Sequence, residues 1–303
     1  MSEALIRYAL SFFVIFSLAS LAAMICERSG VINLGIEGFM IIGCMIYALL
    51  PKALAIINVD YDSYWIIIFI ASIILAMLGT FLFSLLHSFI VLKLKTDQIV
   101  SGTVINLLAQ GIGFFLVGVE NLGSSGNIQG TISPILQETP AVSIYFIITL
   151  IFITGLFGYF KFTKTGTRHI AAGENPNALD TAGVSVNKYR FIAISVSSCL
   201  AGLAGIIYTI NIKVQFAVPD VNGIGFISLA IMVIGQWKVL LIVFVSFVFS
   251  IFFTIGKMIN IPNFTFGLAP LLPFLMSLVV MVIASKWSIA PKEAGIPFDK
   301  TLR

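Results

Sequence analysis

The sequence predicts an all-α integral membrane protein of about nine transmembrane helices, one of them short or re-entrant. Three observations predict it. Of 303 residues, 59% are hydrophobic and only 10% charged, against roughly 25% charged in a soluble domain. The mean hydropathy of +1.09 exceeds what a soluble core can hide, so apolar surface must face lipid. The apolar residues also run in stretches of about 20, the length that crosses a bilayer as helix, and do not alternate as strands do.

These stretches cover residues 8–26, 31–51, 63–92, 99–119, 141–160, 191–212, 221–237, 239–256 and 266–285. The third is overlong and is expected to tilt or to extend beyond the membrane. The seventh is short and glycine-rich, as a broken or re-entrant element enclosed by protein would be. The start, MSEALIRYAL, lacks a basic n-region and a small-residue cleavage site, so the first span is expected to stay in the mature protein. Residues 1–285 thus form a single transmembrane domain, followed by a polar tail, 286–303, that is expected to be mobile. The loop 120–140 has turn formers and no basic residue, and is too short for a domain.

Lysine and arginine orient the chain. If the loop 161–190 is cytoplasmic, alternation places thirteen of the 17 basic residues inside, leaving Arg7, Lys52, Lys213 and Lys257 outside. Loop carboxylates divide evenly. This is the positive-inside pattern, with the N-terminus outside and the C-terminus cytoplasmic. A net charge of +4, scattered along the chain, excludes a nucleic-acid partner. Cys26, Cys44 and Cys199 lack CxxC spacing and read as buried free thiols. His87 and His169 are isolated, so no metal site is expected. There is no GxxxxGK[ST] loop for ATP, and HExxH and GxSxG are absent as well.

Three segments carry the remaining polar information. In the loop 161–190, Asn175 is an N-cap followed by Pro176 at the first helical position, and Gly183 is a C-terminal stop. A short capped helix over 177–182 follows, either docking a partner or merely connecting two spans. In ERSGVINLGIEG (27–38), Glu37 is the one charged residue within an expected span, with Asn33 one turn earlier. Glu37 either lines a pathway or is a structural carboxylate bonded to backbone amides. In TDQIVSGTVINLLAQ (96–110), Asn106 and Gln110 share a helix face, as interhelical glue or as path lining. Gly202 and Gly205 in CLAGLAG read as close helix packing.

These segments, with GTRHIAAGENPNALDTAGVSVNKYRFIAISVSSCLAGLAG and GIGFISLAIMVIGQW, resemble the hallmark stretches of nucleoside-type ABC permeases. Those permeases belong to the superfamily that also serves ribose and branched-chain amino acids. The resemblance runs through most of the chain, in order, and is nearest to the shorter permease of a heterodimeric pair. It implies a type II fold, like the vitamin B12 importer, without the first helix of ribose permeases. It implies that Glu174, Asn175, Pro176, Asn177, Ala178, Asp180, Ala182 and Gly183 form the coupling helix on an ATPase. Asn33, Glu37, Asn106 and Gln110 are the candidate translocation-path residues. The implied partners are a longer homologous permease, an ATPase with two fused nucleotide-binding halves that holds ATP and Mg2+, and an extracytoplasmic lipoprotein that binds substrate. The chain itself is expected to bind no cofactor and not to be an enzyme, and to sit in the bacterial cytoplasmic (inner) membrane. A monosaccharide or branched-chain amino acid is the alternative cargo, and a self-contained channel or secondary transporter the alternative class. The sequence departs from the family at Ile224, between Gly223 and Gly225, where relatives often carry a basic residue.

Overall fold

The computed structural model describes residues 2–56, 61–118, 144–212, 220–258 and 289–299, together with 275, 278, 279 and 282. The loop 120–140 and most of the ninth expected stretch, 266–285, lie outside these residues. So do Lys213, Lys286, Lys300 and Arg303.

Every element described is helical. In chain order these are α1 (Ser2–Arg28), α2 (Ile36–Ile56), α3 (Tyr61–Ser88), a π-turn (Phe89–Lys93), α4 (Gln98–Gly118) and α5 (Ile144–Phe162). Then follow α6 (Lys164–Glu174), α7 (Pro176–Thr181), α8 (Val186–Asn211), α9 (Ile224–Ile234) and α10 (Val239–Met258). Six of these segments are long and apolar enough to cross a membrane: Leu5–Arg28, Tyr64–Lys93, Gln98–Leu116, Ile144–Phe162, Val186–Asn211 and Val239–Gly256. The overlong third stretch is α3 continued by the π-turn.

Helices α1 and α8 form the centre and are largely enclosed, while α3, α4 and α5 present most of their surface outward. The outward faces are apolar, with Ile67, Leu82, Leu107, Phe115 and Ile151 exposed. That arrangement fits a bundle whose solvent is lipid. The core between α1, α2, α8, α9 and α10 is built from Phe12, Phe16, Phe39, Met40, Ile207 and Met232, all essentially inaccessible. Hydroxyls within the helices turn back on their own turn: Ser72 donates to Ile68 O, Ser198 to Ile194 O and Thr209 to Gly205 O. In lipid this is how a hydroxyl avoids being orphaned.

Close packing of α2 on α8 follows from small residues, as CLAGLAG leads one to expect. A Cβ on Gly43 would run into the Gly202 backbone, and one on Gly205 into the Met40 carbonyl. Cys44 Sγ–H donates to Gly205 O at 3.0 Å across the same contact.

Three expectations change. The second stretch was expected to be helical from Val31, yet 31–35 is irregular and α2 begins at Ile36. Side chains that compete for the backbone there are the cause, as described below. The loop 161–190 holds a second helix, α6, which the sequence reading left as loop. Thr163 starts it by accepting Gly166 N–H at 2.9 Å. The tail is not loose over 289–299; it is bonded to the end of α6, the Gly30 turn, α8 and Lys95, and packed on α7. At 11 residues, α9 rises about 16 Å, roughly half the hydrocarbon thickness.

Because α2 and α8 meet backbone to backbone, Gly205→Leu should separate them. Overpacking of this kind costs about 1–3 kcal/mol. Thermal unfolding of the detergent-purified chain should fall clearly below wild type, whereas Leu107→Ala on the exposed face of α4 should leave it nearly unchanged.

Candidate functional site

The site grows out of the break between α1 and α2. Helix α1 ends at Arg28 and leaves its last carbonyls without helical partners. Each of three finds one. His169 Nε2–H donates to Ile25 O at 2.8 Å, Ser29 N–H and Oγ–H donate to Cys26 O, and Gly30 N–H donates to Glu27 O. Gly30 has φ +90°, the left-handed conformation that glycine adopts without penalty. It turns the chain out of α1.

Across 31–35 the backbone is held by side chains from elsewhere. Ile32 N–H donates to Gln98 Oε1 at 2.7 Å, from the first residue of α4. Asn33, wholly buried, accepts Gly35 N–H with Oδ1 and donates Nδ2–H to Ser197 Oγ of α8. Asn106 does more. Its Nδ2–H donates to Leu34 O at 2.9 Å and its Oδ1 accepts Gly38 N–H at 2.7 Å. Those two backbone groups are an i→i−4 pair, so one carboxamide takes the place of a missing helical hydrogen bond. Gln110, one turn further along α4 and half-buried, takes no part in this network.

Two buried carboxylates then fix α9. Glu37, 2% exposed, accepts Gly223 N–H with Oε1 at 2.8 Å and Gly225 N–H with Oε2 at 2.6 Å. It also sits in the first turn of α2. The carboxylate therefore faces the positive ends of two helices, its own and α9. Gly223 is left-handed at φ +72°, and a Cβ on Gly225 would collide with Glu37. At the other end of α9, Gln236 and Trp237 both adopt φ +52°. That turn delivers Trp237 Nε1–H to Glu27 Oε2 at 2.8 Å. Glu27 and Glu37 thus bracket the irregular segment and hold the two ends of one short helix.

Sequence reasoning singled out Asn33, Glu37 and Asn106, which the fold brings together around the irregular segment, Asn33 within it, Glu37 on α2 and Asn106 on α4. It missed Glu27, Gln98, Ser197 and Trp237. Glu27 was passed over because, beside Arg28, it looks like an ordinary charge at a span edge. No local signal marks its pairing with Trp237, 210 residues along the chain.

A second cluster lies outside the apolar spans. Asn175 caps α7 by accepting Ala178 N–H at 3.0 Å, Pro176 occupies its first turn, and Gly183 follows it with φ +77°. Asn177, Ala178 and Thr181 are exposed, while Pro176 and Leu179 point inward. Glu174 is exposed, Asp180 half-buried, and Ala182 is the C-cap. On α6, His169 is buried against Tyr159 and Phe160. Burial pushes its imidazole down to about 4; the bond to Ile25 O opposes that shift and the nearby Arg28 charge adds to it. Donation to a carbonyl places the proton on Nε2 and leaves Nδ1 to accept from the Tyr159 hydroxyl at 3.4 Å. Among the described residues, no group of three His, Cys, Asp or Glu side chains is placed to hold a metal.

Lipid-facing helices around a broken span, with a capped helix outside them, define a multi-pass membrane protein. The chain belongs to the family described as branched-chain amino acid transport system / permease component, which it matches over residues 5–285. It is 34% identical over 291 residues to the uncharacterized protein MG121 of Mycoplasma genitalium, covering 94% of each chain. It is 31% identical to the nucleoside ABC transporter permease protein NupC of Lactococcus lactis subsp. cremoris, over 93% of this chain and 92% of that one. It is also 31% identical to the guanosine ABC transporter permease protein NupQ of Bacillus subtilis, over 94% and 93%. No solved structure matches.

Two outcomes follow. Glu37→Gln turns one acceptor oxygen into an amide donor facing a backbone N–H, so a charge-assisted bond of about 1.5–3 kcal/mol is at stake. Hydrogen exchange should quicken at residues 222–226, and the purified chain should melt earlier than wild type. The second concerns His169. Its folded-state value lies below its unfolded one, so the unfolded state binds the extra proton between them. Stability should therefore be flat above about pH 6.5 and decline as pH falls toward 4. Comparing melting curves of wild type and His169→Gln across that window should show the decline shrinking in the variant.

Proposed function

We propose that the chain is one permease subunit of an ABC importer, that its cargo is a nucleoside, and that α7 is its docking helix for the ATPase. The observation that carries this reading is the end-to-end match to relatives named as nucleoside and guanosine ABC permeases. The geometry of α7 supports the docking half. A helix of six residues is too short to be stable alone, yet it is capped at its start, anchored by Leu179 and exposed along Asn177 and Ala178. A groove on a partner fits that outward face, with Glu174, Asp180 and Arg168 near its rim. Charges in such places set register more than affinity.

In this reading residues 1–285 are the permease domain, α6 and α7 lie in the cytoplasmic coupling loop 161–190, and the tail 286–303 is cytoplasmic. The N-terminus is outside and the membrane is the bacterial inner membrane. A longer permease completes the translocation path in a type II, vitamin B12 importer-like arrangement. ATP and Mg2+ sit on a separate ATPase with two nucleotide-binding halves, and a lipoprotein delivers substrate from outside. Asn33, Glu37 and Asn106 shape the path by holding α9 and the irregular segment at its side, and Gln110 lies nearby on α4.

The test is a reconstituted importer. Cysteine at Asn177 or Asp180 should crosslink to the ATPase, and cysteine at Asn187 should resist impermeant reagent added outside. Ala178→Trp should leave membrane insertion intact while reducing ATPase association or ATP-coupled uptake at least tenfold. Guanosine should be taken up in preference to glucose or leucine. Coupled uptake at wild-type rates with Ala178→Trp would sink the docking assignment, and a preference for glucose or leucine would sink the cargo assignment.

A further inference from the structure

The polar segment 289–299 is bound to five parts of the molecule within a few residues. Glu293 N–H donates to Gly173 O at the end of α6, and Gly295 N–H donates to Gly30 O at 3.2 Å. Ile296 O accepts from Arg190 Nη1 on α8 at 2.8 Å. Phe298, 9% exposed, fills a small apolar cluster with Leu179 of α7, Ala172 of α6 and Val186 of α8. Asp299 pairs with Lys95, just before α4, at 2.6 Å.

The combination is more than tethering. Gly30 opens the irregular segment that ends at Glu37, and Glu37 holds α9. Phe298 touches the buried anchor of α7, three residues along the chain from the bond to Gly30. Gly295 is left-handed at φ +83°, and a Cβ there would meet Ile32 Cδ1 at 2.9 Å, so the segment also rests on the irregular stretch itself. Arg190, 1% exposed, keeps the segment at this height: its Nη1 holds Ile296 and its Nη2 donates to Ala172 O at 3.4 Å.

We infer that residues 293–298 form a strap that carries displacement of α7 to the Gly30 turn and so to α9, with Phe298 and Arg190 as positioning residues for coupling. The inference rests on α7 being the docking helix. A tail that only stabilised the fold would touch the bundle anywhere. This one reaches both the proposed input and the irregular segment, through Phe298 on Leu179 and through Gly295 on Gly30 and Ile32, beside the direct packing of Gly173 on Gly30.

The experiment uses the complete importer in proteoliposomes and reads the ratio of substrate moved to ATP hydrolysed. Phe298→Ala should leave ATPase association intact and lower that ratio at least fivefold, and Phe298→Leu should restore it to within twofold of wild type. Gly295→Ala, which pushes on Ile32 without touching α7, should lower the ratio as well. It decides the matter if Phe298→Ala fails to assemble. A ratio within twofold of wild type in the assembled variants overturns the strap. The docking reading fails by a different sign: cysteine at Asp180 then does not crosslink to the ATPase in the otherwise wild-type chain, and the strap loses its input with it.

Discussion

The carboxylate of Glu37, set between the N-termini of α2 and α9, is the interaction on which the rest depends. A membrane core has no water to satisfy free backbone groups. A span that breaks at Gly30 and a helix of 11 residues leave such groups in numbers. The protein answers with side chains whose oxygens and nitrogens replace backbone partners: Glu37 for α9, Asn106 for the start of α2, Gln98 and Asn33 for the stretch between. Remove that set and the irregular segment has no reason to remain irregular.

Seen this way, polar residues in the apolar stretches are placed by backbone demand. Gln98 and Asn106 on α4 and Ser197 on α8 all serve one run of chain, 32–38. Trp237 does the same for the far end of α9, using an indole N–H that would otherwise be buried without a partner. The clamp on α9 therefore holds both ends, while the helix between them, from Ile224 to Ile234, is apolar but for Ser228, whose hydroxyl donates to Ile224 O.

Much of this was legible. Long apolar runs gave the helices because in lipid little else is permitted, and the caps at Asn175 and Gly183 are local chemistry that a sequence displays directly. Pairing across distance was not legible. Nothing within ERSGVINLGIEG says that Glu27 meets Trp237, 210 residues on, nor that residues 31–35 abandon the helix. Hydropathy is blind to a break whose residues are as apolar as the helix they interrupt. The tail misled for a similar reason: KEAGIPFDK is polar enough to look unbound, and its bonds run mainly through its backbone, which carries no compositional mark. Helix α6 was obscured by Gly166 and Gly173, which weaken helix propensity but are needed where Gly173 passes against Arg28 and Gly30.

Asn106 has a consequence for which substitutions the chain can tolerate. One side chain presents a donor and an acceptor at the spacing of a peptide bond and slots into a ladder from which one rung is missing. Aspartate would offer two acceptors, leucine neither, and glutamine the right groups one methylene too far. The position is thus constrained by the geometry of a neighbouring backbone. Lineages that exchanged one cargo for another would be free to redesign their binding surfaces and still be obliged to keep this amide.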